Sequence, residues 1–398
     1  MRVAIITHSF LESTYALAHY MSKKDIIIDL YCVNYIQNKN IAVADFNSEI
    51  LSEGYVDSNL IQKIHGNQLS KYLADIQINY FFFNGGRNNI LSTIFKTTKF
   101  GKNIESKKYD IHHIIQGSFV HYLISRQIPS SKLCLTLHES TTHESKMKFE
   151  TKFLLKWIAK KKYPIIFHSL VTKIRYEKYI KKIFNSFKLN KSCIIPMGLF
   201  ETYSLCQENN AFQPQDLFGN NFILFYGRFN QAKGIQILID AYEELSKTRK
   251  MPSLVIAGSG KICFDKKNND KIHVINKFLS NIEISKLNNY AKFIVCPYIS
   301  ASQSGIPLTT YLFNKPIIAS NVGDFPNTVE HNKTGVLIDP NNRDQLMNAI
   351  VKLLVDEKFY RMISSNIKIK YSSGPNSWDS ISERTIDFYN IVHELSDK

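Results

Sequence analysis

The stretch FIVCPYISASQSGIPLTTYLFNKPIIAS, residues 293–320, contains one complete strand–loop–helix–strand pattern. The apolar run at 293–299 predicts a buried strand, the small residues after it predict a loop, and IPLTTYLF at 306–313 predicts about two helical turns. Asn-Lys-Pro then turns the chain into a second apolar run at 317–320. The pattern is that of a βαβ unit in a parallel sheet. Its loop opens onto a helix N-terminus, where unpaired backbone N–H groups favour an anion such as phosphate.

The same alternation runs through the rest of the chain. Short Ile-rich apolar runs alternate with helical stretches, as is typical of parallel strands buried on both faces. The predicted strands lie at 2–7, 25–33, 109–116, 132–138, 163–169, 192–197, 222–227, 253–258, 272–275, 293–298, 316–320 and 334–338. The sequence therefore predicts an α/β protein with two consecutive Rossmann-like domains.

The pattern lapses once, in a polar segment that carries Pro214 and Gly219. We predict an N-terminal domain at 1–198, a linker at 199–219 and a C-terminal domain at 220–375. A Gly-Pro pair ends the second domain, and Ser377 is a candidate N-cap for a last helix within 376–398.

Composition excludes several classes of protein. With 44% apolar and 12% aromatic residues, the 398-residue chain can bury large cores and is not of the disordered type. No apolar run approaches the ~20 residues that span a bilayer, and MRVAIITHSF resembles a first strand rather than a signal peptide. The six cysteines are scattered without Cys-x-x-Cys spacing, which favours the cytoplasm and no structural zinc.

The net charge of +16 is concentrated in one segment. Residues 146–191 contain 14 Lys or Arg and two acids. Within it, KMKFETKFLLKWIAKKKY places Phe149, Phe153 and Trp157 on one helical stripe among lysines. The helix could dock on its own domain, or this face could rest on anionic lipid. Nucleic acid is a third possibility, but no recognised nucleic-acid module accompanies the patch.

The sharpest local motif is FILFYGRFNQAKG at 222–234. A predicted strand ends at Gly227, Arg228 follows it, and Lys233 precedes the next helix. Ligands of open α/β sheets bind at the carboxyl ends of the strands, so both cations are placed for a diphosphate. Arg supplies a planar fork and Lys a point charge for phosphate oxygens. The alternative is two solvated surface cations.

The motif and the segments after it resemble those of family 4 glycosyltransferases. GRFNQAKGIQILIDAYEEL, VIAGSG at 255–260, IIASNVGDFP at 317–326 and HNKTGVLIDPNN at 331–342 resemble the family's segments in the right order. The match is dense over 222–345 and thin before it. The resemblance implies the GT-B fold: two Rossmann-like βαβ domains that face a central cleft, with the C-terminal helix crossing back to the first.

The resemblance also implies functional residues. Gly227, Arg228 and Lys233 would hold the donor diphosphate, and His138 would contact the donor sugar or the reacting centre. The family usually has two glutamates eight residues apart in the next loop and helix, but Ala301 and Thr309 occupy those positions. The loop resembles a variant in which uncharged groups hold the donor. Those groups would belong to Ser302, Gln303, Ser304, Gly305 and Thr309.

The resemblance implies a retaining, metal-independent glycosyltransferase that uses a UDP- or GDP-linked sugar and no cofactor, and the scattered cysteines favour a cytoplasmic protein. Its acceptor would be a saccharide of a bacterial surface polysaccharide (O-antigen or capsule), lipid-linked and met at the inner face of the membrane through the basic segment 146–191. The alternatives are a nucleotide-sugar epimerase and a noncatalytic GT-B subunit or scaffold. A nicotinamide-dependent dehydrogenase is disfavoured, because no Gly-x-Gly-x-x-Gly follows the first strand of either half.

Overall fold

The structure is a computed structural model of the 398-residue chain. It describes residues 1–8, 10–37, 40–41, 44–46, 49, 51–84, 90–115, 119–138, 149–185, 188–189, 191–205, 212–265, 269–301 and 304–394. The chain divides into two compact units, one made of residues 1–198 with 375–398 and the other of residues 199–374.

The first unit is built on an eight-stranded sheet in the order β10-β9-β8-β7-β1-β2-β6-β5. All neighbouring strands are parallel except β5, which is antiparallel to β6. A separate antiparallel pair joins β3 and β4. The strands are β1 Arg2–Thr7, β2 Ile27–Tyr35, β3 Asn40–Ile41, β4 Ala44–Asp45, β5 Gly54–Tyr55, β6 Gln77–Phe83, β7 Ile111–Ile115, β8 Leu133–Leu137, β9 Ile165–Phe167 and β10 Ser192–Ile194.

Within the described residues, six helices connect these strands, and the last helix of the chain joins them. They are α1 Leu11–Ser22, α2 Ser58–Tyr72, α3 Ile90–Ser106, α4 Phe119–Ser125, α5 Phe149–Lys161, α6 Leu170–Lys181 and α14 Trp378–Glu394. A 3-10 turn at Ser130–Lys132 precedes β8. Helices α3, α4, α5 and α6 contact one another in chain order, whereas α14 packs on α1. Both sheet faces of β7 are buried, which explains why the adjacent His112 and His113 are both inaccessible to solvent.

The last helix belongs to the first unit, as the predicted fold class requires. Its first turn is capped by Ser377, whose hydroxyl accepts from the Ser380 N–H at 3.3 Å. Trp378 packs directly on Gly198: a Cβ at Gly198 would lie 2.6 Å from the indole ring. Deeper in the helix, the Tyr389 hydroxyl is hydrogen-bonded to Nδ1 of His113 at 2.6 Å. The helix is therefore part of the core of this unit.

The second unit contains a six-stranded, wholly parallel sheet in the order β13-β12-β11-β14-β15-β16. Its strands are β11 Phe222–Tyr226, β12 Leu254–Gly258, β13 Ile272–Asn276, β14 Ala291–Cys296, β15 Ile317–Ser320 and β16 Gly335–Ile338. Its helices are α7 Pro214–Phe218, α8 Ile235–Thr248, α9 Asn281–Tyr290, α10 Ile306–Leu312, α11 Phe325–Thr328, α12 Arg343–Val355 and α13 Glu357–Ser372. The 3-10 turns Glu201–Leu205 and Gln231–Lys233 complete it.

The twelve predicted strands all occur, with ends shifted by up to three residues. The sequence reading missed β6, although its aromatic run YFFF at 80–83 is typical of a strand. The described residues of the predicted linker, 199–205 and 212–219, lie inside the second unit, where the turn Glu201–Leu205 contacts α9 and α10. Because every strand of the second sheet is parallel, the loops after β11 and β14 emerge at the same edge.

Candidate donor-binding site

The turn after β11 is held close to the neighbouring strand β12. Gly227 has φ 135°, a region that favours glycine, and its N–H donates to the Ala257 carbonyl at 2.9 Å. Phe229 donates in the same way to the Ser259 carbonyl. Between these two anchored residues, Arg228 is exposed at the carboxyl edge of the sheet. Arg228 thus lies at the carboxyl edge of the sheet directly after β11, and its contact with a diphosphate stays a prediction.

A second glycine joins this turn to the end of β14. Gly234 has φ 62°, and a Cβ at this position would lie 1.9 Å from the Pro297 carbonyl oxygen. No side chain fits there without displacing backbone. The Ile299 N–H donates to the Ala232 carbonyl at 2.9 Å and ties the same two loops together. Helix α8 begins at Ile235, so its unpaired first-turn N–H groups and its positive dipole end lie beside Lys233.

The ammonium group of Lys233 lies over an aromatic ring. Its Nζ is 3.7 Å from the centre of the Tyr298 ring, which is fully buried, and such contacts are worth about 0.5–2 kcal/mol. Burial lowers the pKa of Lys233, and the neighbouring Arg228 cation lowers it further, whereas Cys296 acts in the opposite direction. Sequence reasoning missed Tyr298, although it is the first aromatic residue after β14.

In the loop between β14 and α10, the structure describes residues 297–301 and 304–305. The predicted donor contacts Ser302 and Gln303 lie outside the described residues. Burial raises the pKa of the Tyr298 hydroxyl, and the Ser304 side chain acts in the opposite direction. Ser304 Oγ accepts from the Ile306 N–H at 3.4 Å. Ser304 and Tyr298, both in the loop after β14, therefore lie close to each other.

Two further predicted residues frame the start of α10. Gly305 packs against Phe200: a Cβ on the glycine would lie 2.7 Å from that ring. Thr309 is only 4% exposed, and its hydroxyl donates to the Gly305 carbonyl at 3.4 Å. The second unit thus brings Gly227, Arg228, Lys233, Ser304 and Gly305 to one edge of its sheet, with Thr309 one turn deeper.

His138 lies in the first unit, directly after β8. It is 1% exposed, and its ring stacks on Phe10 with centroids 4.0 Å apart and an interplanar angle of 6°. The ring of His168 is 4.4 Å away. Burial holds the pKa of His138 well below its usual value, and the neighbouring His168 and His113 act in the same direction. The imidazole is therefore neutral at physiological pH.

Two further features concern the described residues as a whole. Among them, no group of three or more His, Cys, Asp or Glu side chains is arranged to hold a metal ion. None of the described helices is both long and apolar enough to cross a membrane.

Comparison with known proteins finds a match for the segment that contains Arg228 and Lys233. Residues 207–370 match the family model described as glycosyl transferases group 1. This segment is a glycosyltransferase group 1 domain. It contains the turn after β11, the loop after β14 and the helices that follow them.

Curated relatives of the chain bear related names. Two uncharacterized glycosyltransferases of Methanocaldococcus jannaschii are 29% and 26% identical over 44% and 77% of this chain. The chain spans 45% of the length of the first and 82% of the second. An O-antigen chain mannosyltransferase of Escherichia coli is 23% identical over 46% of this chain and half of its own length.

Solved structures confirm the predicted GT-B fold over nearly the whole chain. A glycosyltransferase from Rickettsia africae has a TM-score of 0.65 at 16% identity, over 98% of both chains. Anabaena HepE, in a complex with UDP and glucose, has a TM-score of 0.61 at 14% identity, over 98% of this chain and 100% of its own.

Proposed function

We propose that the protein is a glycosyltransferase that moves a sugar from a nucleotide-sugar donor to a saccharide acceptor. The observation that carries the proposal is the pairing of Arg228 with Lys233 after β11, inside the glycosyltransferase group 1 domain. Two cations and a helix N-terminus at one sheet edge fit the two phosphates of a nucleoside diphosphate.

The proposed mechanism depends on charge that develops as the sugar leaves. When the bond from the sugar to the diphosphate breaks, negative charge accumulates on the departing phosphate oxygens. Arg228 and Lys233 stabilise that charge more strongly than the charge of the bound donor, which lowers the barrier. Lys233 is partly withdrawn from water, so its interaction with the phosphates is screened less than that of an exposed lysine. In this role the two cations act without a metal ion.

The remaining donor contacts are assigned by resemblance and by position. We propose that Gly227 lets the diphosphate approach the backbone and that Ser302, Gln303, Ser304 and Gly305 hold donor oxygens with uncharged groups. We assign Thr309 to the ribose. We assign His138 to the sugar or the reacting centre, where a neutral imidazole can donate one hydrogen bond and accept another. Transfer with retention is part of the same proposal.

The donor base and the acceptor come from the relatives. HepE is described with UDP and UDP-glucose, and another relative is described as GDP-mannose-dependent, so UDP- and GDP-linked hexoses are the first donors to try. The Escherichia coli relative acts on O-antigen chains by name. We propose a lipid-linked saccharide of a surface polysaccharide as acceptor, reached from the cytoplasmic side of the membrane.

Thermal unfolding with nucleotides tests the donor site. We expect UDP or GDP, without metal, to raise the melting temperature, whereas ADP, CMP and NAD do not. A ligand at 100 times its dissociation constant adds about 2.7 kcal/mol to the stability of the folded state. If no nucleotide has an effect, a noncatalytic subunit becomes the better interpretation. If donor turns over without any acceptor to give a new sugar nucleotide, the protein is an epimerase.

The membrane part of the proposal is supported by helix α6. Leu170 and Ile174 are 56% and 52% exposed. Lys178 and Lys181 continue the same face at the spacing i, i+4, i+8, i+11. Two apolar side chains in the first turns, followed by lysines, suit a surface of anionic lipid.

Helix α3 carries the same pattern outside the basic segment. Leu91 and Phe95 are 82% and 71% exposed, and Lys99 and Lys102 follow at the same spacing. Strands β6 and β9 are parallel members of one sheet, so α3 and α6 begin at the same edge. The apolar ends of both helices therefore lie at the edge where the loop of His138 emerges.

Helix α5 contributes partly to this surface. Phe153, a member of its predicted apolar stripe, is exposed, whereas Leu154 and Ile158, which lie beside the stripe, are buried in the core of the unit. Exposed Lys156 and Lys160 flank it on the outer side. One side of α5 therefore packs on its own domain, and the other side faces outward. Each of the two interpretations of this helix applies to one of its sides.

Sedimentation with vesicles tests this surface. We expect the protein to sediment with phosphatidylglycerol vesicles at low salt and to be released at high salt, because Lys attraction to the lipid is screened. The double variant Lys178→Ala, Lys181→Ala should bind roughly 30-fold more weakly, at about 1 kcal/mol for each lysine. Exposed lysines of the second unit provide the matched control, Lys358→Ala with Lys368→Ala. Equal binding by both double variants would contradict the membrane assignment.

A further inference from the structure

Two aromatic rings lie beside the imidazole of His138. Neither contact was expected from the resemblance to family 4 glycosyltransferases. One is Phe10, in the turn between β1 and α1, which stacks on it almost face to face. The other is His168, which directly follows β9 and whose ring is tilted by 55° at a centroid distance of 4.4 Å. We call these three side chains the ring stack. They come from three separate segments of the first unit, so only the tertiary fold brings them together.

The backbone of Phe10 is strained. Its φ of 60° and ψ of 38° lie in the left-handed region, which costs a residue with a Cβ roughly 1–2 kcal/mol. Three hydrogen bonds to its carbonyl hold this conformation, from Ser13 Oγ at 3.1 Å, Thr14 Oγ1 at 2.8 Å and Thr14 N at 3.0 Å. Glycine would adopt the same backbone without strain. We therefore attribute the presence of phenylalanine, instead of glycine, to the contact of its ring with His138.

The orientation of His168 is also defined. Its Nδ1 donates to the Ile195 carbonyl at 2.9 Å, which leaves the lone pair of the neutral ring on Nε2. His138 and His168 both line a cavity of about 30 Å³, together with Ser13, His113 and Thr136. The His113 ring is fixed in turn by Thr136 Oγ1 and by the Tyr389 hydroxyl, each at 2.6 Å. Every imidazole around His138 is thus held in place by hydrogen bonds.

We propose that Phe10 and His168 are positioning residues that hold the ring of His138 in one orientation for sugar transfer. The inference rests on the proposed function, because it needs His138 to contact the donor sugar or the reacting centre. A neutral imidazole offers one donor and one acceptor, and only a fixed ring presents the correct one to a hydroxyl group. Loss of such positioning is costly because small displacements of a reacting group reduce catalysis strongly.

The substitution Phe10→Gly separates positioning from folding. It removes the ring with its packing but relieves the backbone strain, so the two effects oppose each other and the protein should remain folded with a melting temperature near that of the wild type. We expect kcat to fall by about tenfold or more and the donor dissociation constant to stay within about twofold, because the donor phosphates bind to the other unit. Phe10→Tyr should restore kcat, since tyrosine stacks as phenylalanine does. His168→Asn, which keeps a donor for the Ile195 carbonyl, should lower kcat in the same way as Phe10→Gly.

Nuclear magnetic resonance of the histidine rings provides a readout that does not depend on turnover. The stacked Phe10 ring shifts the ring protons of His138 upfield, and His138→Gln assigns those signals. Phe10→Gly should move them downfield, and Phe10→Tyr should leave them near their wild-type positions. Unchanged His138 signals in Phe10→Gly, or wild-type kcat in that variant, would overturn the proposal. If no transfer is found with any donor, the proposed function fails, and the His138 signals alone decide whether the ring stack exists.

Discussion

Replacing Lys233 with methionine should reduce the rate of sugar transfer by two to three orders of magnitude. The ammonium group lies on the Tyr298 ring beside Arg228 and the start of α8. Methionine keeps the packing on Tyr298 but removes the charge that stabilises the departing diphosphate. Removing one such electrostatic group from an active site costs about 10²–10³ in kcat. Arg228→Gln should have an effect of the same order, since it removes the other cation.

Two measurements and one control variant distinguish the loss of a charge from the loss of the folded structure. The melting temperature without ligand should be unchanged or slightly higher for Lys233→Met, because a partly buried charge is removed. The stabilisation by UDP or GDP should fall, because a charge-assisted hydrogen bond contributes about 1.5–3 kcal/mol. Lys250→Met, at an exposed position beyond the end of α8, should behave as the wild type. Full turnover in Lys233→Met would remove the cationic pair from the proposed mechanism.

Acid should destabilise the first unit before the second. Its core contains buried histidines whose pKa values are lowered by burial, to about 4 for His65, His112 and His168 and to about 3 for His113. In the unfolded chain these histidines take up a proton near pH 6.5, whereas in the folded chain they stay neutral until the lower pKa. Stability is therefore fully present above pH 6.5 and is lost as the pH falls from 6.5 toward 4. Each such histidine contributes roughly 1.4 kcal/mol per pH unit in that interval.

Urea unfolding at pH 8.0, 6.5 and 5.0 measures this effect. Both tryptophans, Trp157 and Trp378, belong to the first unit, so tryptophan fluorescence follows that unit alone, whereas far-ultraviolet circular dichroism follows both. We expect similar fluorescence midpoints at pH 8.0 and 6.5 and a much lower one at pH 5.0. His168→Asn should reduce the pH dependence by about one proton, and His331→Asn, at an exposed position in the second unit, should not. Equal fluorescence midpoints at pH 5.0 and 8.0 would contradict the assignment of neutral buried histidines.

Much of the architecture could be read from local pattern. The unit strand–loop–helix–strand at 293–320 occurs as β14, α10 and β15 with ends within three residues of the prediction. The last helix begins beside its predicted cap, Ser377. These predictions succeed because a strand buried on both faces must be apolar along its length and because helix ends need capping groups, so both leave a signal in a short window of sequence.

The candidate site was only partly readable. Arg228 and Lys233 could be found because they follow a recognisable strand, and parallel strands bring their carboxyl ends to one edge. The sequence contains no sign that Tyr298 lies under Lys233, because the two residues are far apart in the chain and belong to different loops. The exposed apolar side chains of α3 were missed for a related reason. Leu91 and Phe95 look like core residues until the packing of the helix shows which face is outward.

The sequence by itself therefore determined the order of the strands and helices, which strands are buried, and the position of the turn that contains Arg228 and Lys233. Only the tertiary structure decided which distant residues contact one another. Gly234 must be a glycine because Pro297 lies against it, and His138 is covered because Phe10 and His168 arrive from two other loops. Periodicity and capping act between residues a few positions apart, whereas contacts of this kind depend on how distant segments pack, which no local pattern encodes.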